Sequence, residues 1–231
     1  MSSILLIESS TEITSTALSV DGKIVYEKET RQPNSHTTLL APYVENALNF
    51  FSEEFKDQKI DAIAVSGGPG SYTGLRIGVA LAKGLCYGFN VPLIAIDTLM
   101  LMTHQLISQY PDSLFCPMID ARRMEVYCAI YNAELDTLRP ISADIIDDQS
   151  FIDYLSSNKV CFFGNGAKKC RGIITHPNAL FIDNIVPLAS QMSVLAQQMF
   201  DNGQFEDVAY YEPHYLKEFV AKVSVNKVLH G

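Results

Sequence analysis

The sequence lacks any run of about 18 apolar residues, the length that a membrane-spanning helix needs. It also lacks the basic start and long apolar region of a secretory signal, since its first apolar run extends only from Ile4 to Ile7. Charged residues make up only 19% of the 231 residues, whereas 48% are hydrophobic, which is enough for a packed core. These features predict a globular protein of the cytoplasm that has no contact with a membrane.

Basic residues are scarce. The chain has 17 lysines and arginines against 26 acidic residues, so its formal net charge is −9. Because contacts with a phosphate backbone require clustered Lys and Arg, an acidic chain does not attract nucleic acid by itself. We therefore expect that any action on nucleic acid depends on a partner that supplies the contact.

Spacings typical of metal sites are missing. No two cysteines form a C-x-x-C pair, and no two of the five histidines stand four residues apart, as the H-x-x-x-H metal motif requires. Four of the five cysteines lie among apolar residues, where a free cysteine is usually a small core residue. The cysteines are Cys86, Cys116, Cys128, Cys161 and Cys170. We expect no metal site and reduced thiols, as in the cytoplasm.

The hydrophobic pattern follows the same order of elements twice. The first pass has predicted strands at 4–7, 14–20, 23–30, 60–65 and 93–96, with helices at 36–55, 73–87 and 98–108. The second has predicted strands at 114–119, 125–131, 141–146, 160–163 and 180–182, with helical segments at 149–155, 165–171 and 188–200. Two passes of this kind predict an α/β protein built from a duplicated βββαβα unit, with parallel pairing of the helix-connected strands.

The duplication divides the chain into two predicted lobes. Residues 1–105 form the N-terminal lobe and residues 106–216 form the C-terminal lobe. A last helix is predicted from about Lys217. We expect it to bring residues 217–231 back onto the N-terminal lobe.

Two hairpins occupy positions where ATPases of the actin and sugar-kinase superfamily carry phosphate-binding turns. One is Glu8-Ser9-Ser10 after the opening strand, and the other is Asp120-Ala121-Arg122-Arg123. Each has an acidic residue, but neither has the glycine that lets backbone N–H groups approach a phosphate. In the second half, the short loop Gly164-Asn165-Gly166 corresponds to a loop that contacts adenosine in that superfamily, although a plain turn is favoured. We interpret all three as degenerate nucleotide-binding loops.

A longer glycine-rich loop, SGGPGSYTGLRIG, runs from Ser66 into a predicted helix. It is not a P-loop, because no Lys-Ser or Lys-Thr follows at the required spacing. On the helix, Gly74, Gly78 and Ala82 stand four residues apart and form a stripe of small residues. Each glycine inside a helix costs about 1 kcal/mol relative to alanine, so something must approach the stripe closely. The spacing leaves open whether that is the chain's own sheet or a helix of a partner.

The segment SGGPGSYTGLRIGVALAKGL resembles the signature of the TsaB (YeaZ) family. LLIESST near the start, ARRMEVY after Asp120 and EPHYLKEFVA toward the end resemble further segments of that family, in the same order and across almost the whole chain. The resemblance implies the two-lobed actin-like ATPase (ASKHA) fold. It also implies a non-catalytic scaffold and activator subunit in the bacterial synthesis of N6-threonylcarbamoyladenosine (t6A) at position 37 of tRNA.

The same resemblance implies the partners. Family members pair with the catalytic subunit TsaD through the first lobe and act together with TsaE. We therefore expect a heterodimer with TsaD, a homodimer in isolation, and contact with tRNA only through the complex. No intrinsic cofactor is expected, and ATP or ADP would bind only in that complex. The expected docking face consists of Leu40, Tyr43, Val44, Ala47, Tyr72, Thr73, Gly74, Arg76, Ile77, Gly78, Leu81, Ala82 and Leu85.

Two other functions stay open on the sequence alone. One is an active nucleotide-dependent ATPase or kinase of the same fold, for which Glu8, Asp120 and the Gly164–Gly166 loop are the candidate residues. The other is a homodimer that acts alone in a structural role. A peptidase is disfavoured, because the H-E-x-x-H motif and any local signature of a serine nucleophile are missing.

Overall fold

The first pass of the sequence folds into a five-stranded sheet with three helices. The structure is a computed structural model that describes residues 2–32 and 35–216. The elements of this pass are β1 (Ser3–Glu8), β2 (Thr14–Val20), β3 (Lys23–Thr30), α1 (His36–Glu54), β4 (Ala62–Gly68), α2 (Tyr72–Phe89), β5 (Leu93–Asp97) and α3 (Thr98–His104). The strand order is β3-β2-β1-β4-β5. The hairpin strands β1 to β3 pair antiparallel, and β1, β4 and β5 pair parallel.

The second pass repeats this topology. Its elements are β6 (Ser113–Asp120), β7 (Glu125–Tyr131), β8 (Thr137–Ile145), α4 (Ile152–Leu155), β9 (Lys159–Phe163), α5 (Ala167–Cys170), β10 (Ala179–Ile182) and α6 (Ser193–Asp201), the last preceded by a 3₁₀ turn at Ala189–Met192. The order is β8-β7-β6-β9-β10, with the same parallel and antiparallel pairs. The predicted α/β class and the duplication of one unit are therefore confirmed.

Helix α1 shows why the long elements could be predicted. Leu40, Val44, Ala47 and Phe51 recur every three or four residues, and all four are buried against the first sheet with Leu5, Ile7 and other apolar residues of that core. The predicted range of 36–55 differs from the observed helix by one residue. The shorter helices differ more: the segment predicted at 98–108 ends at His104, and the one predicted at 165–171 keeps only four helical residues.

The last helix of each unit contacts the other unit, and α3 packs on both sheets, since its Leu101 lies in the core of the first sheet. Leu99 and Met102 of α3 lie in a core with Phe115 of β6 and other residues of the second sheet. Conversely, Leu195 and Ala196 of α6 lie in a core with residues of the first sheet. The boundary predicted between residues 105 and 106 stays a prediction. Helix α6, which belongs to the predicted 106–216 lobe, packs on the first sheet, and residues 217–231 lie outside the described residues.

The cysteines behave as predicted. All five are buried, and none forms a disulfide. In the part of the chain that the structure describes, no helix is long and apolar enough to cross a membrane. Within the same residues no group of three or more His, Cys, Asp or Glu side chains could hold a metal ion; the expectation of a chain without a metal site stays a prediction.

Candidate functional site

The glycine stripe of α2 packs on the first hairpin of its own chain. The N–H of Ser71 donates to the carbonyl oxygen of Ser10 at 2.6 Å, and the Oγ of Ser9 donates to the carbonyl oxygen of Gly74 at 2.9 Å. A Cβ added at Gly74 or Gly78 would lie closer than 3.0 Å to an oxygen of Ser9, a distance that real Cβ atoms essentially never show. The close approach that compensates for these glycines is therefore internal.

This packing corrects part of the expected docking face. Gly74, Gly78 and Ala82 are buried inside the chain, so the stripe cannot admit a helix of a partner. Leu40, Val44 and Ala47 of α1 are buried in the same core. The remaining predicted residues keep accessible surface: Thr73 and Arg76 are exposed, and the half-buried ones are Tyr43, Tyr72, Ile77, Leu81 and Leu85. The docking role of these seven residues stays a prediction.

Glu8 lies beneath the hairpin and has no exposed surface. Its Oε1 accepts hydrogen bonds of 2.5 Å from both the N–H and the Oγ of Ser10, while Oε2 has no partner among the described residues. Burial raises the pKa of the Glu8 carboxyl above its ordinary value, against the opposing effect of the Ser10 hydrogen bonds. A carboxylate enclosed in this way cannot present an oxygen to a hydrated Mg²⁺, so the geometry does not fit the role of the superfamily acid.

The second hairpin, between β6 and β7, is held by polar contacts of Asp120. Its Oδ1 accepts from the N–H of Arg122 at 2.8 Å and from the Nζ of Lys169 at 2.5 Å, and its own N–H donates to the Oδ1 of Asn165 at 2.9 Å. Arg122 and Arg123 follow with φ angles of 72° and 49°. Asp120 thus stabilises the turn between β6 and β7 and forms an ion pair with Lys169.

Two positions of the loop Gly164-Asn165-Gly166 require glycine, because the loop packs closely on β6. Gly164 has a φ of 97°, a backbone conformation that favours glycine. A Cβ at Gly164 or at Gly166 would lie closer than 3.0 Å to the backbone of Met118 or Ile119 on β6. These glycines therefore allow the end of β9 to lie against β6, much as Gly74 and Gly78 allow α2 to lie against Ser9.

Little space separates the two sets of loops. A cavity of about 10 Å³ lies between them. Its lining residues are Thr11, Glu12, Ile13, Met102, Ile119, Asn165, Ile185, Val186 and Pro187. Small-molecule sites usually have volumes of roughly 300 Å³ or more, so this cavity cannot hold a nucleotide. The interpretation of the loops as degenerate agrees with this geometry and stays a prediction.

Sequence reasoning missed Asp97, which links the two units. It ends β5 and caps α3, where its Oδ1 accepts from the N–H of Met100 at 2.9 Å and lies 3.4 Å from the Oη of Tyr131 on β7. Burial raises the pKa of Asp97 to about 6, against the opposing effect of these hydrogen bonds. An Asp directly before the helix at Thr98 was the available sequence signal, since Asp is a preferred N-cap residue.

Sequence reasoning also missed the covering of the glycine loop by residues 206–216, hereafter the C-terminal segment. The Nζ of Lys83 on α2 donates to the carbonyl oxygen of Tyr211 at 3.0 Å, and the N–H of His214 donates to the carbonyl oxygen of Gly67 at 2.8 Å. These contacts fix the segment across the carboxyl end of β4. It thereby lies next to the exposed residues of α2.

Comparison of sequences identifies relatives along nearly the whole chain. The family model described as "TsaD: tRNA N6-adenosine threonylcarbamoyltransferase" matches residues 24–225. The Escherichia coli (strain K12) "tRNA threonylcarbamoyladenosine biosynthesis protein TsaB" is 32% identical over 227 residues, which cover 94% of this chain and 96% of the relative. The Bacillus subtilis (strain 168) protein of the same name is 33% identical over 141 residues, which cover 61% of this chain and 60% of the relative.

Comparison of structures gives the same fold. "YeaZ from Pseudomonas aeruginosa" superposes with a TM-score of 0.78 at 24% identity, covering 94% of this chain and 100% of that one. A second Pseudomonas aeruginosa structure, of an uncharacterized protein with similarity to peptidase YEAZ, has a TM-score of 0.80 at 24% identity and the same coverage. With two sheets of the same mixed topology, these matches confirm the expected two-lobed actin-like ATPase fold.

Proposed function

Because the chain belongs to the TsaB family of tRNA threonylcarbamoyladenosine biosynthesis proteins, we propose that it is a non-catalytic scaffold subunit of the enzyme complex that makes t6A. In this role it binds and activates the catalytic subunit TsaD, acts together with TsaE, and forms a homodimer when no partner is present. The family model is named for a transferase, so the proposed non-catalytic role rests on features of this chain's own hairpins.

The observation that carries the non-catalytic role is the closed state of the first hairpin. Ser9 and Ser10 hydrogen-bond directly to Gly74 and Ser71 at the start of α2, and Glu8 is buried beneath them with no exposed surface. In the same region the cavity between the units has a volume of only about 10 Å³. Nothing in the described geometry favours the ATPase or kinase alternative, and a nucleotide would bind only at a surface completed by a partner.

Exposed residues of α2 support a docking role. The guanidinium of Arg76 lies 5.2 Å from the ring centroid of Tyr72 and donates to its Oη at 2.9 Å, and the Tyr72 ring lies 4.9 Å from that of Tyr215 in the C-terminal segment. Further along α2, the side chain of Tyr87 is 88% exposed. Tyrosine and arginine are the residue types that most often dominate binding energy at protein interfaces.

The deciding experiment measures t6A formation on tRNA with purified TsaD, TsaE and this protein, with threonylcarbamoyl-adenylate supplied as the donor of the transferred group and ATP present for TsaE. We expect product only when this protein and TsaD are both present. Product formed with this protein in place of TsaD would make it the catalyst. If its omission leaves the yield of t6A unchanged, the proposed function is wrong.

A substitution at the exposed face tests the docking surface itself. We expect Arg76→Glu to weaken binding to TsaD at least tenfold, because an interface arginine commonly contributes more than about 1.4 kcal/mol. The matched control is Lys159→Glu, an equal charge reversal at an exposed residue of β9 in the second sheet. Binding is measured by titration calorimetry, and thermal melts confirm that both variants fold. Equal affinity of the two variants would contradict a docking role for α2.

A further inference from the structure

Exposed cations gather at the hairpin between β6 and β7, although the whole chain is acidic. Arg122, Arg123 and Lys168 are exposed, and no carboxylate of the described residues forms an ion pair with any of them. The neighbouring Lys169, by contrast, is paired with Asp120. The three unpaired residues are hereafter the hairpin patch. The chain therefore has a local site of positive charge although its net charge is −9.

The backbone holds the two arginines in fixed positions. Both have positive φ angles, which cost an ordinary side chain free energy and which glycine or asparagine adopts more easily. The Nζ of Lys169 donates to the carbonyl oxygen of Arg123 at 2.7 Å, and Asp120 accepts from the N–H of Arg122. The turn is thus held from α5 and from β6, so the backbone from which the two guanidinium groups extend is already ordered before an anion binds.

We propose that the hairpin patch contacts the phosphodiester backbone of the RNA substrate. Guanidinium groups bind phosphate oxygens through paired hydrogen bonds, and exposed groups on a rigid turn suit a polyanion that passes along the surface. A free nucleotide fits less well, because the adjoining cavity, which Asn165 helps to line, measures only about 10 Å³ and has no room for a base. The proposal rests on the proposed function, since membership of a tRNA-modifying complex is what makes the RNA a tRNA.

This assignment modifies the expectation that tRNA is reached only through partners. Most of the affinity for tRNA must still come from the rest of the complex, because the acidic chain as a whole repels RNA. Phosphate contacts of this kind fix the register and orientation of a nucleic acid without reading its sequence. The hairpin patch would therefore orient the tRNA on the complex.

The test measures binding of a fluorescently labelled, unmodified tRNA transcript to the complex of this protein with TsaD. The KCl concentration is varied from roughly 50 to 200 mM, a range over which binding through phosphate contacts weakens strongly. For Arg122→Gln/Arg123→Gln we expect weaker binding at low salt and a slope of log K against log [salt] that is shallower by roughly 2, about 1 for each phosphate that is no longer bound. The control is Lys159→Gln/Arg171→Gln, which changes the net charge equally. Lys159 lies at the opposite end of β9, and Arg171 is paired with Asp183.

A second variant separates binding from folding. Arg122→Gly/Arg123→Gly places glycine at both positive φ angles, so the thermal midpoint should be equal to or higher than that of the unchanged protein. We expect the same decrease in tRNA affinity as in the glutamine variant. Binding would then decrease without a loss of stability, which a misfolded hairpin could not produce.

Three outcomes would overturn the proposal: an unchanged affinity and salt slope, an equal decrease in the control variant, or a decrease confined to ATP binding in a parallel titration. The proposed function is tested separately, by measuring t6A formation with and without this protein. If omission abolishes t6A while the Arg122 and Arg123 variants bind tRNA normally, the scaffold role stands and the RNA contact is wrong.

Discussion

Gly74 and Gly84 stand in the same helix but meet different surroundings. A Cβ at Gly74 would overlap the carbonyl oxygen of Ser9, whereas a Cβ at Gly84 would meet nothing within 4 Å. We expect Gly74→Ala to lower the free energy of unfolding by about 1–3 kcal/mol or more. Gly84→Ala should raise it by about 1 kcal/mol, because alanine is the better helix former. Urea denaturation of both variants checks this pair, and a Gly74→Ala protein as stable as the unchanged one would refute the internal packing of the stripe.

Asp97 gives stability a specific dependence on pH. Its pKa is raised from an ordinary 3.8 to about 6, so the folded protein binds this proton more tightly than the unfolded chain. The stabilisation is fully present below about pH 4 and is lost as pH rises through about 6. Asp97→Asn keeps an N-cap residue but has no charge, so it should be more stable than the unchanged protein above pH 6, by up to about 3 kcal/mol.

The measurement for Asp97 is the difference in unfolding free energy between the two proteins from pH 4 to pH 8. Taking the difference removes the contributions of other groups, including the buried Glu8, whose pKa is also raised. A difference that stays constant across this range would contradict the raised pKa of Asp97.

Residue-scale packing was the least predictable level. The spacing of Gly74, Gly78 and Ala82 correctly indicated a close approach, but the same spacing suits a partner helix and the chain's own backbone equally well. The deciding contact comes from Ser9, which lies 65 residues before Gly74 in the sequence. Only the folded pairing of β1 with β4 brings the two together.

At the scale of elements, one side chain of α2 makes two hydrogen bonds to the C-terminal segment. Lys83 donates from its Nζ to the carbonyl oxygens of Ala209 and Tyr211. Lys83→Met keeps most of the aliphatic stem but removes both hydrogen bonds. We expect backbone amides of residues 206–216, such as that of His214, to exchange with deuterium faster in this variant, because local opening costs less free energy.

Hydrogen-exchange mass spectrometry on peptides covering residues 206–216 makes this measurement. The control is Lys159→Met on β9, which lies in the other sheet and should leave these peptides unchanged. Unaltered exchange in Lys83→Met would mean that the backbone bond from His214 to Gly67 holds the segment without help from the lysine.

Among the helices, the longer ones were predicted more closely, whereas the longest strand, β8, begins four residues before its predicted start at Ile141. Helix α1 has 19 residues and a regular apolar face, so its pattern fixes its range to within one residue. Helices α4 and α5 have four residues each and no room for a period of 3.6 to repeat. The C-terminal segment has no regular secondary structure. Its position depends on contacts with α2 and β4, which the hydrophobic pattern of the sequence does not predict.

For the whole molecule, the sharing of terminal helices predicts cooperative unfolding. Helix α3 contributes Leu99 and Met102 to the core of the second sheet and Leu101 to that of the first, and α6 belongs to the core of the first sheet. Neither sheet can keep its complete core if the other unfolds. We expect one calorimetric transition whose measured enthalpy equals the van't Hoff enthalpy. Two resolved transitions would show that the units are independent despite the shared helices.

The general architecture was predictable because the hydrophobic pattern of one unit occurs twice in the sequence. Two passes of the same order of strands and helices led to the α/β class and the duplicated unit, and both are confirmed. The destination of α3 and α6 was not predictable, since a hydrophobic helix face does not say which of two similar sheets it will cover. A segment at the end of a repeat can pack on either unit with the same pattern.

The contacts of Ser9 also constrain how this sequence can change over evolutionary time. A methyl group at position 78 would meet the side-chain Oγ of Ser9, whereas a methyl group at position 74 would meet its backbone oxygen. Replacement of Ser9 by glycine therefore makes room for alanine at position 78 but cannot make room at position 74. Descendants of this sequence can replace Gly78 by alanine once the Ser9 hydroxyl rotates away or is lost, whereas no change of side chain at position 9 makes room at Gly74.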